Sequence, residues 1–81
     1  MAQHEVLSPL PGIFYRAPAP EKPPYKEHGD QVADGDTIGL IEVMKQFTEI
    51  QADAGGKIIR FLVDNEAPVE SGQPVLLIET A

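Results

Sequence analysis

The chain has 81 residues, no cysteine, and a formal net charge of −7 from thirteen acidic and six basic side chains. That length holds one small domain, 1–81, with a modest core, and the absence of thiols excludes disulfides, thiolate metal sites and cysteine nucleophiles. The acidic balance argues against nucleic acid and anionic membrane surfaces as partners, no apolar run approaches the roughly 18 residues that span a bilayer, and "MAQHEVLSPLPG" lacks a secretory pattern, so a soluble, cytoplasmic protein is expected.

Eight prolines and seven glycines interrupt the chain so often that few windows could hold a helix. Short strands separated by turn signals predict an all-β sandwich or barrel. In chain order, "GIFYR" (12–16) reads as a strand. Next comes "APAPEKPPY" (17–25), with four of the eight prolines, which predicts a stiff protruding loop without ladder hydrogen bonds. "VADGDTIGLIE" (32–42) reads as a short strand, a glycine turn and an apolar strand. "GKIIR" (56–60) and "VESGQPVLLIE" (69–79) supply the remaining strand-like runs.

The central stretch "TIGLIEVMKQFTEI" (37–50) has two readings. Leu40, Val43, Met44, Phe47 and Ile50 fall at a helical spacing. An internal repeat decides against the helix. At an offset of 37, Val32, Gly35, Ile38, Leu40, Ile41 and Glu42 match Val69, Gly72, Val75, Leu77, Ile78 and Glu79; upstream, "GIFYR" matches "GKIIR" at an offset of 44. The first copy therefore carries an insertion between Arg16 and Gly29, and 37–43 becomes a strand by correspondence. Residues 47–52 alternate as a second, half-buried strand. The four residues Val43, Met44, Lys45 and Gln46 hold the turn of a hairpin at about 38–52.

A tight two-residue hairpin turn needs positive φ and favours Asn-Gly or Asp-Gly. Met44 and Lys45 would each cost of order 1 kcal/mol there. Either a looser turn relieves the strain or the lysine is displayed at the tip for a purpose.

In these segments and in this order the chain resembles the biotinyl domain of biotin carboxyl carrier proteins, over nearly its whole length. The resemblance implies a flattened barrel of two four-stranded antiparallel sheets with quasi-two-fold halves. It also implies biotin joined by an amide to Lys45, after Met44; related lipoyl domains usually have Asp before the lysine. The insertion at about 17–25 looks like the thumb of acetyl-CoA carboxylase carriers, which would give Ala17, Pro18, Ala19, Pro20, Glu21 and Lys22 contact with biotin. The other reading of this loop is a cover for a sheet edge. The family's Glu-Ala-Met-Lys-Met appears as Glu42, Val43, Met44, Lys45 and Gln46, so Val43 and Gln46 are departures beside the lysine.

The implied function is group carriage in a biotin-dependent carboxylase. A biotin protein ligase would modify Lys45, a biotin carboxylase would load the ureido nitrogen, and a carboxyltransferase would unload it, with the chain itself non-catalytic. An ordinary lysine amine is protonated at neutral pH, so a base must come from the ligase, and Glu42 reads better as a solvated strand-end charge than as that base. Rival readings are a lipoyl carrier and an unmodified β-module with a binding role. His4 and His28 have no partner at ligand spacing, so no metal site is expected; no nucleophile motif surrounds Ser8, Thr37 or Ser71, and "GDQVADGD" lacks calcium-loop spacing. Phe14, Phe47, Phe61, Ile13, Ile58, Leu62, Leu76 and Ile78 read as core or sheet-face residues.

Overall fold

A computed structural model describes residues 2–80. All the regular structure among them is strand: β1 (Ala2–Leu7), β2 (Gly12–Tyr15), β3 (Gln31–Val32), β4 (Thr37–Val43), β5 (Gln46–Gln51), β6 (Gly56–Phe61), β7 (Ala67–Val69) and β8 (Pro74–Thr80). They form two four-stranded sheets with orders β1-β8-β6-β3 and β5-β4-β2-β7, every pairing antiparallel. Exchanging β1 with β5, β8 with β4, β6 with β2 and β3 with β7 turns one order into the other. The sequence repeat is therefore a repeat of whole sheets, and β1, which the sequence left without an assignment, is the counterpart of β5.

The repeat extends to details that fix the core. Ile38 and Val75 are equivalent, and both sit where the ladder slips, between Thr37 and Gly39 and between the partners of Leu7 and Val6. A bulge of this kind turns an extra side chain inward. Both residues are fully buried, in one cluster with Val6, Phe14, Ile41, Ile50, Ile58, Leu76 and Ile78 from both sheets. Each such side chain stabilises the fold by roughly 1.5–3 kcal/mol relative to exposure. Gly12 and Gly56 are equivalent too: a Cβ at Gly12 would run into the Glu42 carbonyl and Ile41, and one at Gly56 into the Glu79 carbonyl and Ile78. In each half a strand passes too close for any side chain.

The β3–β4 and β7–β8 turns are built alike. Asp36 N–H donates to Ala33 O and Gln73 N–H to Glu70 O, both at 3.0 Å. The side chains return the bond: Ala33 N–H donates to Asp36 Oδ2 and Glu70 N–H to Gln73 Oε1, both at 2.9 Å. Gly35 and Gly72 take the left-handed position, and their N–H groups donate to Ala52 O (2.7 Å) and Ser8 O (2.8 Å). These bonds tie each turn to the chain entering the opposite sheet.

The helical reading of 37–50 fails for a visible reason. β4 and β5 pair from Thr37 with Gln51 to Val43 with Gln46. By this register Leu40 and Phe47 lie on one face and Val43 and Ile50 on the other, with Met44 in the turn between the strands. The apparent stripe is divided between the two faces of a hairpin.

Candidate functional site

The hairpin tip is the tight two-residue turn. Val43 pairs with Gln46, leaving only Met44 and Lys45 between the strands, at φ 52° and 66°. Two consecutive positive φ values are what a mirror-image type I′ turn requires, and side chains other than Gly, Asn or Asp make it costly. No looser loop relieves the strain. The reward is presentation: Met44 is 91% exposed, and Lys45 stands beside it in solvent. Val43, Gln46 and Met44 line a shallow cavity of about 450 Å³ beside the tip, with Leu10, Pro11 and Thr48. The two departures from the family pattern thus share one surface next to the lysine.

A second groove, of about 550 Å³, lies under the proline-rich loop. Tyr25 N–H donates to Arg16 O at 2.9 Å, pinching the loop at its base, and Lys22 N–H donates to Ala19 O at 3.1 Å, turning it at its tip. Ala17, Pro18, Ala19, Pro20, Lys22 and Pro24 form one wall of the groove; Glu21, grouped with them on sequence, lies outside the lining. Proline carries no N–H, so little of this wall can donate. The floor is the outer face of the β5-β4-β2 sheet: Tyr15, Leu40 and Phe47. The Tyr15 and Phe47 rings lie 6.0 Å apart at 55°, a tilted aromatic pair. Phe47, read as a core or sheet-face residue, is on the sheet face but 59% exposed, and it lines the groove in place of packing in the core. Phe14, Ile58, Leu76 and Ile78 are fully buried as expected, and Phe61 packs partly buried against them.

Hydrogen bonds hold the polar groups around the floor. Tyr15 Oη donates to Glu42 Oε1 at 2.9 Å, so Glu42 is a partner of the floor, on the strand leading to the tip. That bond, with burial and the negative charges of Glu42 and Glu66, holds the Tyr15 phenol above its ordinary value of 10.0. Arg16 stacks its guanidinium 4.1 Å above the Phe61 ring centroid, with Nη2 donating to Lys26 O at 3.4 Å and Nε buried without a protein partner.

The β6–β7 connection also lines the groove, through Asn65 and Glu66. Asn65 Oδ1 accepts the Arg16 N–H at 2.9 Å, and Glu66 N–H donates to Phe14 O at 2.6 Å. Glu66 has φ 67°, a left-handed conformation costing about 1 kcal/mol or more for a residue with a Cβ. Sequence reasoning missed both residues. The signal was available: the repeat pairs Glu66 with Gly29, which has φ 89°.

A family model described as "Biotin-requiring enzyme" matches residues 4–78. The chain belongs to this family. Members of the family that it resembles include the biotin carboxyl carrier protein of acetyl-CoA carboxylase of Nostoc sp., 48% identical over 93% of this chain and 41% of the relative. The protein of the same name from Haemophilus influenzae is 37% identical over 98% of this chain and 51% of its own length. The chain thus spans about half or less of these relatives. Among solved structures, the Kluyveromyces lactis urea carboxylase contains a segment that superimposes with a TM-score of 0.78 at 29% identity, covering 98% of this chain and 6% of that one. The biotin-requiring family, the two-sheet fold and the strained Met-Lys turn coincide in one chain.

Proposed function

We propose that this chain is a biotin carboxyl carrier domain whose Lys45 Nζ is joined to biotin by an amide. The observation that carries the reading is the turn: in a chain of the biotin-requiring family, Met44 and Lys45 occupy both left-handed positions of a two-residue hairpin and project into solvent. A rigid tip fixes where a long side-chain arm begins and keeps it clear of the domain surface. Glu42 is engaged with Tyr15 on the strand, which supports a structural role for it and leaves the attachment base to the ligase.

The groove under the loop fits the cofactor. Biotin has a compact fused-ring head with an apolar body and a ureido edge, and the groove offers an aromatic floor with polar groups on its walls. Phe47 follows Lys45 by two residues, about 7 Å along a strand, so a lysine-borne arm folding back from the tip reaches the floor. Ala17, Pro18, Ala19, Pro20 and Lys22 would then contact the head from above, with Glu21 on the outside of the loop.

When bound, biotin supplies a ureido nitrogen that takes up a carboxyl group at a biotin carboxylase and gives it up at a carboxyltransferase. The chain would be non-catalytic: it holds the arm, shelters its head and is handled by a biotin protein ligase and those two enzymes in the cytoplasm. The names of the Nostoc and Haemophilus relatives support acetyl-CoA carboxylase as the assembly served.

Intact mass of the chain coexpressed with a biotin protein ligase, beside Lys45→Arg, tests the reading. A gain of one biotinyl group that vanishes in the variant supports it. A lipoyl gain would move the chain to the sister carrier class, and no gain with any cognate ligase would leave an unmodified binding module.

A further inference from the structure

We infer that the Glu66 carboxylate is a ligand-contacting group that accepts a hydrogen bond from the ureido N–H edge of the biotin head, in the groove that Glu66 lines together with the proline-rich loop. The inference rests on the reading of Lys45 as the biotin-bearing residue and adds to it a specificity-determining residue on the β6–β7 connection.

Three observations lead to it. The first is conformational. Glu66 stands at φ 67° where its counterpart in the other half is Gly29, at φ 89°, and the two positions make equivalent bonds: Glu66 N–H to Phe14 O and Gly29 N–H to Ile58 O. The backbone job is thus done by glycine in one half and by a strained glutamate in the other. An outlier of this kind, in a groove wall, points to a use for its side chain.

The second is the chemistry of the lining. A ureido group presents two N–H donors and one carbonyl acceptor, so a matching site needs an acceptor on one side and donors on the other. Of the residues that line the groove, Glu66 alone carries a carboxylate. Asn65 Oδ1 already accepts the Arg16 N–H, and the Tyr15 hydroxyl is engaged with Glu42. The Lys22 ammonium, the one basic side chain that the loop contributes to the lining, is a donor for the carbonyl.

The third is placement. Glu66 is exposed at the rim, and its N–H bond to β2 anchors its backbone beside the aromatic floor. Its charge is close enough to Tyr15 to be felt by that phenol. A charge-assisted hydrogen bond from an N–H to a carboxylate is stronger than a neutral one. The site would therefore distinguish the ureido edge from a ring lacking N–H donors.

The test is NMR of the intact biotinylated chain carrying ¹⁵N-labelled biotin, as wild type, Glu66→Gln and Glu66→Gly, with free biotin as reference. In the wild type at least one ureido N–H moves downfield of free biotin and exchanges with solvent at least about threefold more slowly. Glu66→Gln keeps part of both effects through its amide oxygen. Glu66→Gly loses both while its thermal midpoint stays at or above that of the wild type, because glycine accepts the left-handed backbone. A merely structural residue would not give that opposition of signs. Ureido signals in the wild type like those of free biotin, or unchanged in Glu66→Gly, overturn the assignment. If instead the chain accepts no biotin at all, the Lys45 reading fails first, and the two failures are told apart by mass before any spectrum is recorded.

Discussion

The two halves of the molecule agree in their sheets and disagree in their connections. Strand order, inward bulges at Ile38 and Val75, side-chain-free crossings at Gly12 and Gly56, and the turns at 33–36 and 70–73 recur almost bond for bond. The link from β2 to β3 does not: residues 16–30 carry the proline-rich loop, where its counterpart 62–66 is a short turn ending in Glu66. Both unlike links border the same groove, and the Met44-Lys45 tip lies at the end of its floor strands. What recurs solves the packing problem of a small two-sheet core; what differs is gathered around one site.

The largest effect expected from breaking that pattern is in the repeated part. Gly12→Val and Gly56→Val should each destabilise the fold by about 3 kcal/mol, because the obstacle is backbone of a neighbouring strand that cannot yield. Urea unfolding measures both, and a loss in only one half would break the equivalence. Met44→Asn, by contrast, should stabilise by up to about 1 kcal/mol, since asparagine tolerates the left-handed turn. Stability gained at the tip with biotin acceptance reduced is the signature of strain retained for function.

Deleting 17–24 should change stability by less than about 1 kcal/mol. The loop's ends are already joined by the Tyr25 N–H bond to Arg16 O, and shortening a loop alters closure entropy only slightly. Global unfolding of that variant would make the loop part of the core.

Two titrations give smaller effects. In a Tyr25→Phe background, Glu42→Ala should bring the Tyr15 absorbance midpoint down towards 10.0, because the carboxylate that holds the phenol proton is gone. The wild-type stabilisation from this pair is fully present below pH 10 and is lost as pH rises through the higher folded-state value. At the acid end, Asp36 lies below its ordinary 3.8, chiefly through the Ala33 N–H it accepts and then through Lys26, whereas Gln73 makes the equivalent bond without a charge. The contribution of Asp36 is present above pH 3.8 and is lost as pH falls through its depressed value. Asp36→Asn should make the two turns alike and flatten that part of the acid limb in thermal melts taken from pH 5 to pH 2.

Much of this was legible in the sequence because the repeat is carried by apolar and glycine positions that pack the same way twice. A hairpin with Lys45 in its turn, observed as β4 and β5, and the long link after Arg16 both follow from it. β1 was not legible: in "AQHEVL" only Val6 is buried, Leu7 is turned outward, and no alternation marks the strand. Phe47 was misread because a large aromatic residue on a strand usually signals packing, and here it faces a groove roofed by a loop remote in sequence. Asn65 and Glu66 were overlooked because a short polar link reads as an ordinary turn unless the repeat is carried back to Gly29, whose place Glu66 takes.

On the proposed reading, the strained tip serves to present one lysine. Fragmentation mass spectrometry of the chain after coexpression with a biotin protein ligase tests it most directly, since Lys22, Lys26 and Lys57 are internal controls on the same molecule. Biotin is expected on Lys45 and on none of the other three. Biotin on any of those three in place of Lys45, or spread among all four, would contradict it.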